Sequence, residues 1–207
     1  MKKMELFVRI SANQFVENMK DEELVQRIYK GEESAFTEIY YRYQSTVFRF
    51  AFHMTGSISA AEDVTQEVFL TLLQFKKYNA SKGPFGAYLF GIARHQVLRW
   101  MRKNHQNHVP YSVLNEEAAI QPVDLTHDQK IEDVRKAILT LPVKYRETVI
   151  LCDLQEKSYE ESSQILRCAI GTIRSRLHRA RSLLLKKLAE NRSAEKTKGA
   201  TYELPAL

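Results

Sequence analysis

One stretch divides the chain. From Asn104 to His127, NHQNHVPYSVLNEEAAIQPVDLTH is polar and follows neither a helical nor a strand period, whereas helical spacing holds on both sides of it. Connections of that length are uncommon inside a compact domain. The sequence therefore predicts two domains joined by a flexible linker. The 207 residues suffice for two small cores. Glycine and proline are few, 7 and 5, and strand-like alternation is scarce beside three- and four-residue apolar spacing. The expected fold class is all-α, with a helical bundle followed by a second, smaller helical domain.

The expected boundaries follow the periodicity. Residues 1–20 form a tail, 21–103 the first domain, 104–127 the linker, 128–190 the second domain, and 191–207 a polar, frayed tail. In the first domain Phe36, Ile39, Tyr40, Tyr43, Val47, Phe50, Ala51 and Met54 share a helical face. The tripeptide Thr55-Gly56-Ser57 breaks it, and two more helices are expected, from about Ser59 to Phe75 and from about Phe85 to Lys103. In the second domain Ile131, Val134, Ile138 and Leu141 form a stripe. Pro142 can open the next helix, which is expected to end near Leu154. Ser158 and Glu161 have the spacing of a capping box.

Composition narrows the function classes. With 44% apolar and 27% charged residues, the chain reads as soluble and globular. No apolar run reaches membrane-spanning length, so no membrane insertion is expected. The first residues are broken by charges and lack a signal peptide's apolar centre. Cys152 and Cys168 sit among apolar residues and read as small buried hydrophobes, not a disulfide framework. His105 and His108 are close together, but no ligand set with metal spacing accompanies them, so neither metal nor cofactor is expected. Neither a glycine-rich phosphate loop nor a nucleophile–base motif occurs, and no catalytic residue is expected. The net charge of +6 suits an anionic partner.

Three helical faces call for an explanation. In GTIRSRLHRARSLL, Gly171 to Leu184, the residues Ile173, Leu177, Ala180 and Leu184 form a core side. Arg174, Ser175, His178 and Arg179 cover the opposite arc, flanked by Arg176 and Arg181. A short helix and tight connection precede it, as in a helix-turn-helix. Arginine forks match guanine edges and phosphates, though a solvated basic face fits the pattern equally well. In AEDVTQEVFLTLLQF, the residues Ala61, Val64, Val68, Leu72 and Phe75 form the core side. Asp63, Gln66, Glu67 and Leu70 point the other way. That face is either a protein-docking patch or an ordinary surface with one stray leucine. In PFGAYLFGIARHQVLRWMRK, the residues Leu89, Ala93, Val97 and Trp100 make the core stripe. Tyr88, His95, Arg99 and Arg102 make a second stripe, edged by Phe85 and Ile92. Aromatic rings interleaved with cations suit single-stranded nucleic acid, and a half-buried tyrosine among solubilising arginines is the alternative.

Taken together and in this order, these strings resemble the extracytoplasmic-function branch of bacterial sigma factors of the sigma-70 family, over roughly Asp21 to Leu188. AEDVTQEVF is similar to the family's polymerase-gripping helix, and FGAYLFGIARHQVLRWMRK to its promoter-melting helix in region 2. LPVKYRETVILCDLQEKSYEE with GTIRSRLHRAR is similar to its region 4. The resemblance implies a cytoplasmic, non-enzymatic transcription initiation factor. Its partners would be core RNA polymerase (β′ clamp and β flap), promoter DNA in duplex and single-stranded form, and an anti-sigma factor. Asp63, Gln66, Glu67 and Leu70 would dock on the β′ clamp. Tyr78, Phe85, Tyr88, Ile92, His95, Arg99 and Arg102 would meet the minus-10 element. Gly171, Thr172, Arg174, Ser175, His178 and Arg179 would read the minus-35 duplex, with Arg176 and Arg181 on phosphate. The linker, with Glu116, Glu117 and Asp124, would thread the polymerase channels. A free-standing helix-turn-helix regulator is the alternative function. The chain departs from the family pattern at Tyr88 (usually Trp), His95 (usually Asn), Ser162 and Ser163 (usually Ile and Ala) and Arg167 (where Gly is common).

Overall fold

The computed structural model describes residues 19–105 and 125–199. Every regular element among them is helical, so the all-α expectation holds. The chain divides into two compact units, 1–108 and 109–207. The linker between residues 106 and 124, with Glu116, Glu117 and Asp124, lies outside the described residues, as do most of the N-terminal tail and the last eight residues.

The first unit holds α1 (Asp21–Tyr29), α2 (Glu33–Thr55), α3 (Ile58–Phe75), a 3-10 turn (Ala80–Lys82) and α4 (Phe85–His105). The Thr55-Gly56-Ser57 break has a mechanism at each residue. Gly56 ends α2 in the left-handed conformation at φ 73° and donates its N–H to the Phe52 carbonyl at 2.7 Å. Ser57 then caps α3, its hydroxyl accepting the Ala60 N–H at 3.2 Å. Ile39, Val47, Phe50, Ala51 and Met54 of α2 are buried against Val64, Val68 and Leu72 of α3 and Leu89, Phe90, Ala93 and Val97 of α4. Phe50 and Phe90 meet edge to face at 5.7 Å.

Two expected core residues move out. Phe75 lies on the core arc but is the last residue of α3, where the chain turns away through left-handed Lys76, and it is 52% exposed. Trp100 is half-buried, while Phe90 and Met101 are buried. Leu89, Ala93 and Val97 keep the expected stripe, which Phe90 and Met101 widen on one side.

α1 is fastened to α2 by charge. The Asp21 carboxylate accepts from Arg42 Nη1 at 2.9 Å and from the Tyr43 hydroxyl. Arg42 also donates to Glu38 at 2.6 Å and to the Met19 carbonyl at 2.8 Å. Burial first, and then the Asp21 carboxylate, push the Tyr43 phenol upward, so it stays a donor.

The second unit holds α5 (Leu125–Thr140), α6 (Val143–Val149), α7 (Tyr159–Leu166) and α8 (Ile170–Gly199). Pro142 is the residue before α6, and its carbonyl accepts from Tyr145 and Arg146. α6 widens into a π-helical turn over Ile150–Leu154, which ends where expected. The capping box is present: the Ser158 hydroxyl accepts the Glu161 N–H at 3.1 Å, and Glu161 Oε2 accepts the Ser158 N–H at 2.8 Å.

Ile138, Leu141, Val149, Ile150, Leu151, Ile165, Leu166, Ile173, Leu177 and Ala180 form the second core. Ile131 and Val134 of the expected stripe stay exposed. Ser162 is buried with its hydroxyl 3.4 Å from Cys152 Sγ, so the buried hydroxyl has a polar neighbour. Both cysteines are free and half-buried, less enclosed than expected. The α8 backbone is helical through Gly199, past the expected domain edge at residue 190.

Burial pushes the Glu161 carboxyl up. The Ser158 N–H and hydroxyl and the Lys157 ammonium outweigh it and hold the carboxyl below its usual range. A depressed carboxyl stabilises above its unfolded pKa, and that contribution fades as pH falls through the folded value. Glu161→Ala should cost about 0.5–1 kcal/mol at neutral pH. In urea denaturation of the full chain, its gap to the unsubstituted protein should close on acidification below the carboxylate range.

Candidate nucleic-acid interface

The basic face of α8 is set by what lies under it. Ile173, Leu177 and Ala180 are buried. A helix with those three inward must present Arg174, Ser175, His178 and Arg179 outward, and all four are exposed. Gly171 is exposed and Thr172 half-buried at the start of the helix. Two of the outward arginines rest on aromatic groups of the module. The Arg174 guanidinium lies 5.7 Å from the Tyr159 ring centre. Arg179 beside the Tyr145 hydroxyl, with Lys144 nearby, lowers the Tyr145 phenol from its usual range. These contacts orient the forks without neutralising them.

Arg176 and Arg181 behave differently from the expectation that they reach phosphate. Arg176 is half-buried, 3.9 Å from the Glu147 carboxylate, which is itself 1% exposed. Arg181 grips Asp153 with two parallel bonds, Nη2 to Oδ1 at 2.6 Å and Nε to Oδ2 at 3.0 Å. Both are neutralised by acids lying on the helix before the helix-turn-helix, and both tie α8 to it. The only hint in the sequence is Glu147, an acid between Arg146 and the apolar run from Val149 to Leu151.

On α4 the expected stripe divides into a surface and a foundation. His95, Arg99 and Arg102 are exposed, and Tyr88 and Ile92 are half-buried beside them. Tyr78 and Phe85 are buried, 6% and 1% exposed, so neither offers a ring face to a base. They brace one another at 5.3 Å, nearly perpendicular. Tyr43 meets Phe85 at 5.5 Å, and Tyr88 leans on Tyr78 at 5.5 Å. The Tyr78 hydroxyl donates to the Gly83 carbonyl at 3.2 Å and lies 3.4 Å from Glu22, while its N–H donates to the Tyr29 hydroxyl at 3.0 Å. Burial and then Glu22 push the Tyr78 phenol up to about 12. Sequence reading missed Tyr29 and assigned Tyr43 to the core alone. It also missed Gly86, where an added Cβ would come within 3.3 Å of the Tyr43 hydroxyl.

The third face is more apolar than expected. Asp63, Gln66 and Glu67 are exposed, Leu70 is 42% exposed, and Leu73 one turn later is 39% exposed. Leu70 is therefore not a stray residue but half of an apolar pair with acids beside it. Among the described residues no three metal-binding side chains gather, and no helix is long and apolar enough to cross a membrane.

Residues 39–106 match the family model for sigma-70 region 2, and residues 131–184 match that for sigma-70 region 4. The chain belongs to the extracytoplasmic-function branch of the sigma-70 family. It is 30% identical over 166 residues to the ECF RNA polymerase sigma factor SigE of Mycolicibacterium smegmatis, covering 77% of this chain and 63% of that protein, which is less than two thirds of the relative's length. It is 25% identical to the ECF RNA polymerase sigma factor SigW of Bacillus subtilis, covering 80% of this chain and 95% of that one. Among solved structures it is similar to the sigma factor RpoE of Bartonella quintana, captured with the anti-sigma factor NepR. The TM-score is 0.59 at 29% identity, over 74% of this chain and 96% of that one. In these terms the first face lies on the region 4 helix-turn-helix of this sigma factor, and the other two lie on its region 2 helices.

Breaking the two ion pairs that tie α8 of this sigma factor to the preceding helix should have unequal effects. Glu147→Ala leaves Arg176 facing a buried hole and should cost about 3 kcal/mol. Arg181→Ala, at a pair that water reaches, should cost about 0.5 kcal/mol. Urea denaturation of the full chain reads both.

Proposed function

We propose that this sigma factor binds core RNA polymerase, directs it to specific promoters and assists their opening, in the cytoplasm and without catalysing a bond change itself. The observation that carries the reading is the order of two family-matched regions along one chain, each with an outward face of the required chemistry. Region 2 and its Asp63, Gln66, Glu67 and Leu70 face would dock on the β′ clamp. Region 4 would reach the β flap. Both assignments follow the family resemblance.

The promoter contacts follow from exposure and chemistry. Tyr88, held up by buried Tyr78 and Phe85, and Ile92 one turn on would receive unstacked bases of the minus-10 element, while His95, Arg99 and Arg102 follow its backbone. Arg174, Ser175, His178 and Arg179 would enter the major groove of the minus-35 duplex near Gly171 and Thr172. Arg176 and Arg181 are reassigned to holding the helix. An anti-sigma partner is part of the proposal because the RpoE relative was solved with one.

Two outcomes test the reading. Purified chain mixed with bacterial core polymerase should co-elute with it, and Gln66→Ala/Leu70→Ala should abolish co-elution without unfolding the chain. Arg174→Ala should cost about 1–3 kcal/mol in promoter binding and relax base preference in the upstream element. Tight duplex binding with no affinity for core would favour the free-standing helix-turn-helix regulator.

A further inference from the structure

We propose that Arg167 is an additional duplex-binding residue, its guanidinium holding a phosphate beside the groove that α8 enters. The proposal rests on the reading of α8 as the helix that enters duplex DNA. Arg167 closes α7 in the left-handed conformation, φ 52° and ψ 50°, with its own N–H and that of Cys168 both donating to the Ser163 carbonyl. Glycine adopts this conformation without the clash of a Cβ, so an arginine here makes the turn less stable than it could be. Residues held in such conformations cluster where a site needs them.

The side chain has nothing to do inside the protein. Arg167 is exposed and has no ion pair, hydrogen bond or ring contact among the described residues. Every other arginine of this unit with a described side chain has a partner within it. The left-handed backbone serves the cap of α7, which glycine would serve at less cost, and the arginine side chain adds no internal contact to it. Its position suits an external one. The first helix of a helix-turn-helix crosses the DNA backbone while the second enters the groove. Arg167 stands at the end of the first, three residues before Ile170 opens α8. That chain length spans at most about 10 Å, so an extended arginine can reach the phosphates on the groove's edge. A phosphate contact is blind to base identity and is read through salt dependence.

The test compares five forms of the full chain, the fifth being Arg174→Ala, by fluorescence anisotropy on labelled duplexes of roughly 30 base pairs and differing sequence, from about 50 to 200 mM salt, together with thermal melting. Arg167→Gly should melt a few degrees higher, bind every duplex several-fold more weakly, and lower the slope of log affinity against log salt by about one. Arg167→Gln keeps the backbone strain without the charge, so it should lose the same slope with no gain in melting temperature. Arg167→Lys should keep the slope. If Arg167→Gly and Arg167→Gln keep the unsubstituted slope and affinity while Arg174→Ala weakens binding, the Arg167 proposal is overturned and the α8 reading stands. If the unsubstituted chain shows no salt-dependent duplex binding, both fall.

Discussion

Glu147 is the constraint around which the second unit is organised. A carboxylate removed from water needs cations or donors around it, and leaving it without them costs several kcal/mol. Arg176 of α8 stands 3.9 Å away. That pairing, with the Asp153 grip on Arg181 further along, holds α8 against α6 in the roll that buried Ile173, Leu177 and Ala180 set. Once the roll is fixed, the outward set follows from a 100° step per residue. The neighbours of the ion-paired arginines, Arg174, Ser175, His178 and Arg179, cannot turn inward without breaking both pairs. The arginines of this face thus divide into Arg176 and Arg181, held by acids of the preceding helix, and the exposed Arg174 and Arg179.

The first unit uses the same division with aromatic side chains. Tyr78 and Phe85 are buried and perpendicular, with Tyr43 behind Phe85 and Tyr29 on the Tyr78 backbone. Asp21 fastens Tyr43 and Arg42 from α1, so the first helix supports the platform indirectly. Tyr88, half-buried against Tyr78, is the ring that a base could reach. A rigid support under one accessible ring lowers the entropy lost when a base stacks on it. On α3, Leu70 and Leu73 leave an exposed apolar strip beside Asp63, Gln66 and Glu67.

Local rules were legible where short-range chemistry decides. The Gly56-Ser57 break, the Ser158–Glu161 capping box and the Ile173, Leu177 and Ala180 stripe could all be read from spacing, because each depends on residues within one or two turns. What could not be read depends on distant partners. Nothing near Arg181 announces Asp153, 28 residues earlier. Phe85 looks like an exposed aromatic until Tyr43 and Tyr78 close over it. Phe75 keeps the period of a core residue yet lies where its helix ends. The extent of α8 past Glu190 was hidden by polar composition, which marks exposure and not the absence of helix.

The central claim is that one chain carries both a polymerase-docking face and two promoter-reading faces. The most direct measurement is transcription from a pool of genomic fragments by core polymerase with and without the purified chain, with transcript starts sequenced. The account predicts discrete new starts preceded by two shared elements at a fixed spacing. Starts indistinguishable from those of core polymerase alone would contradict it.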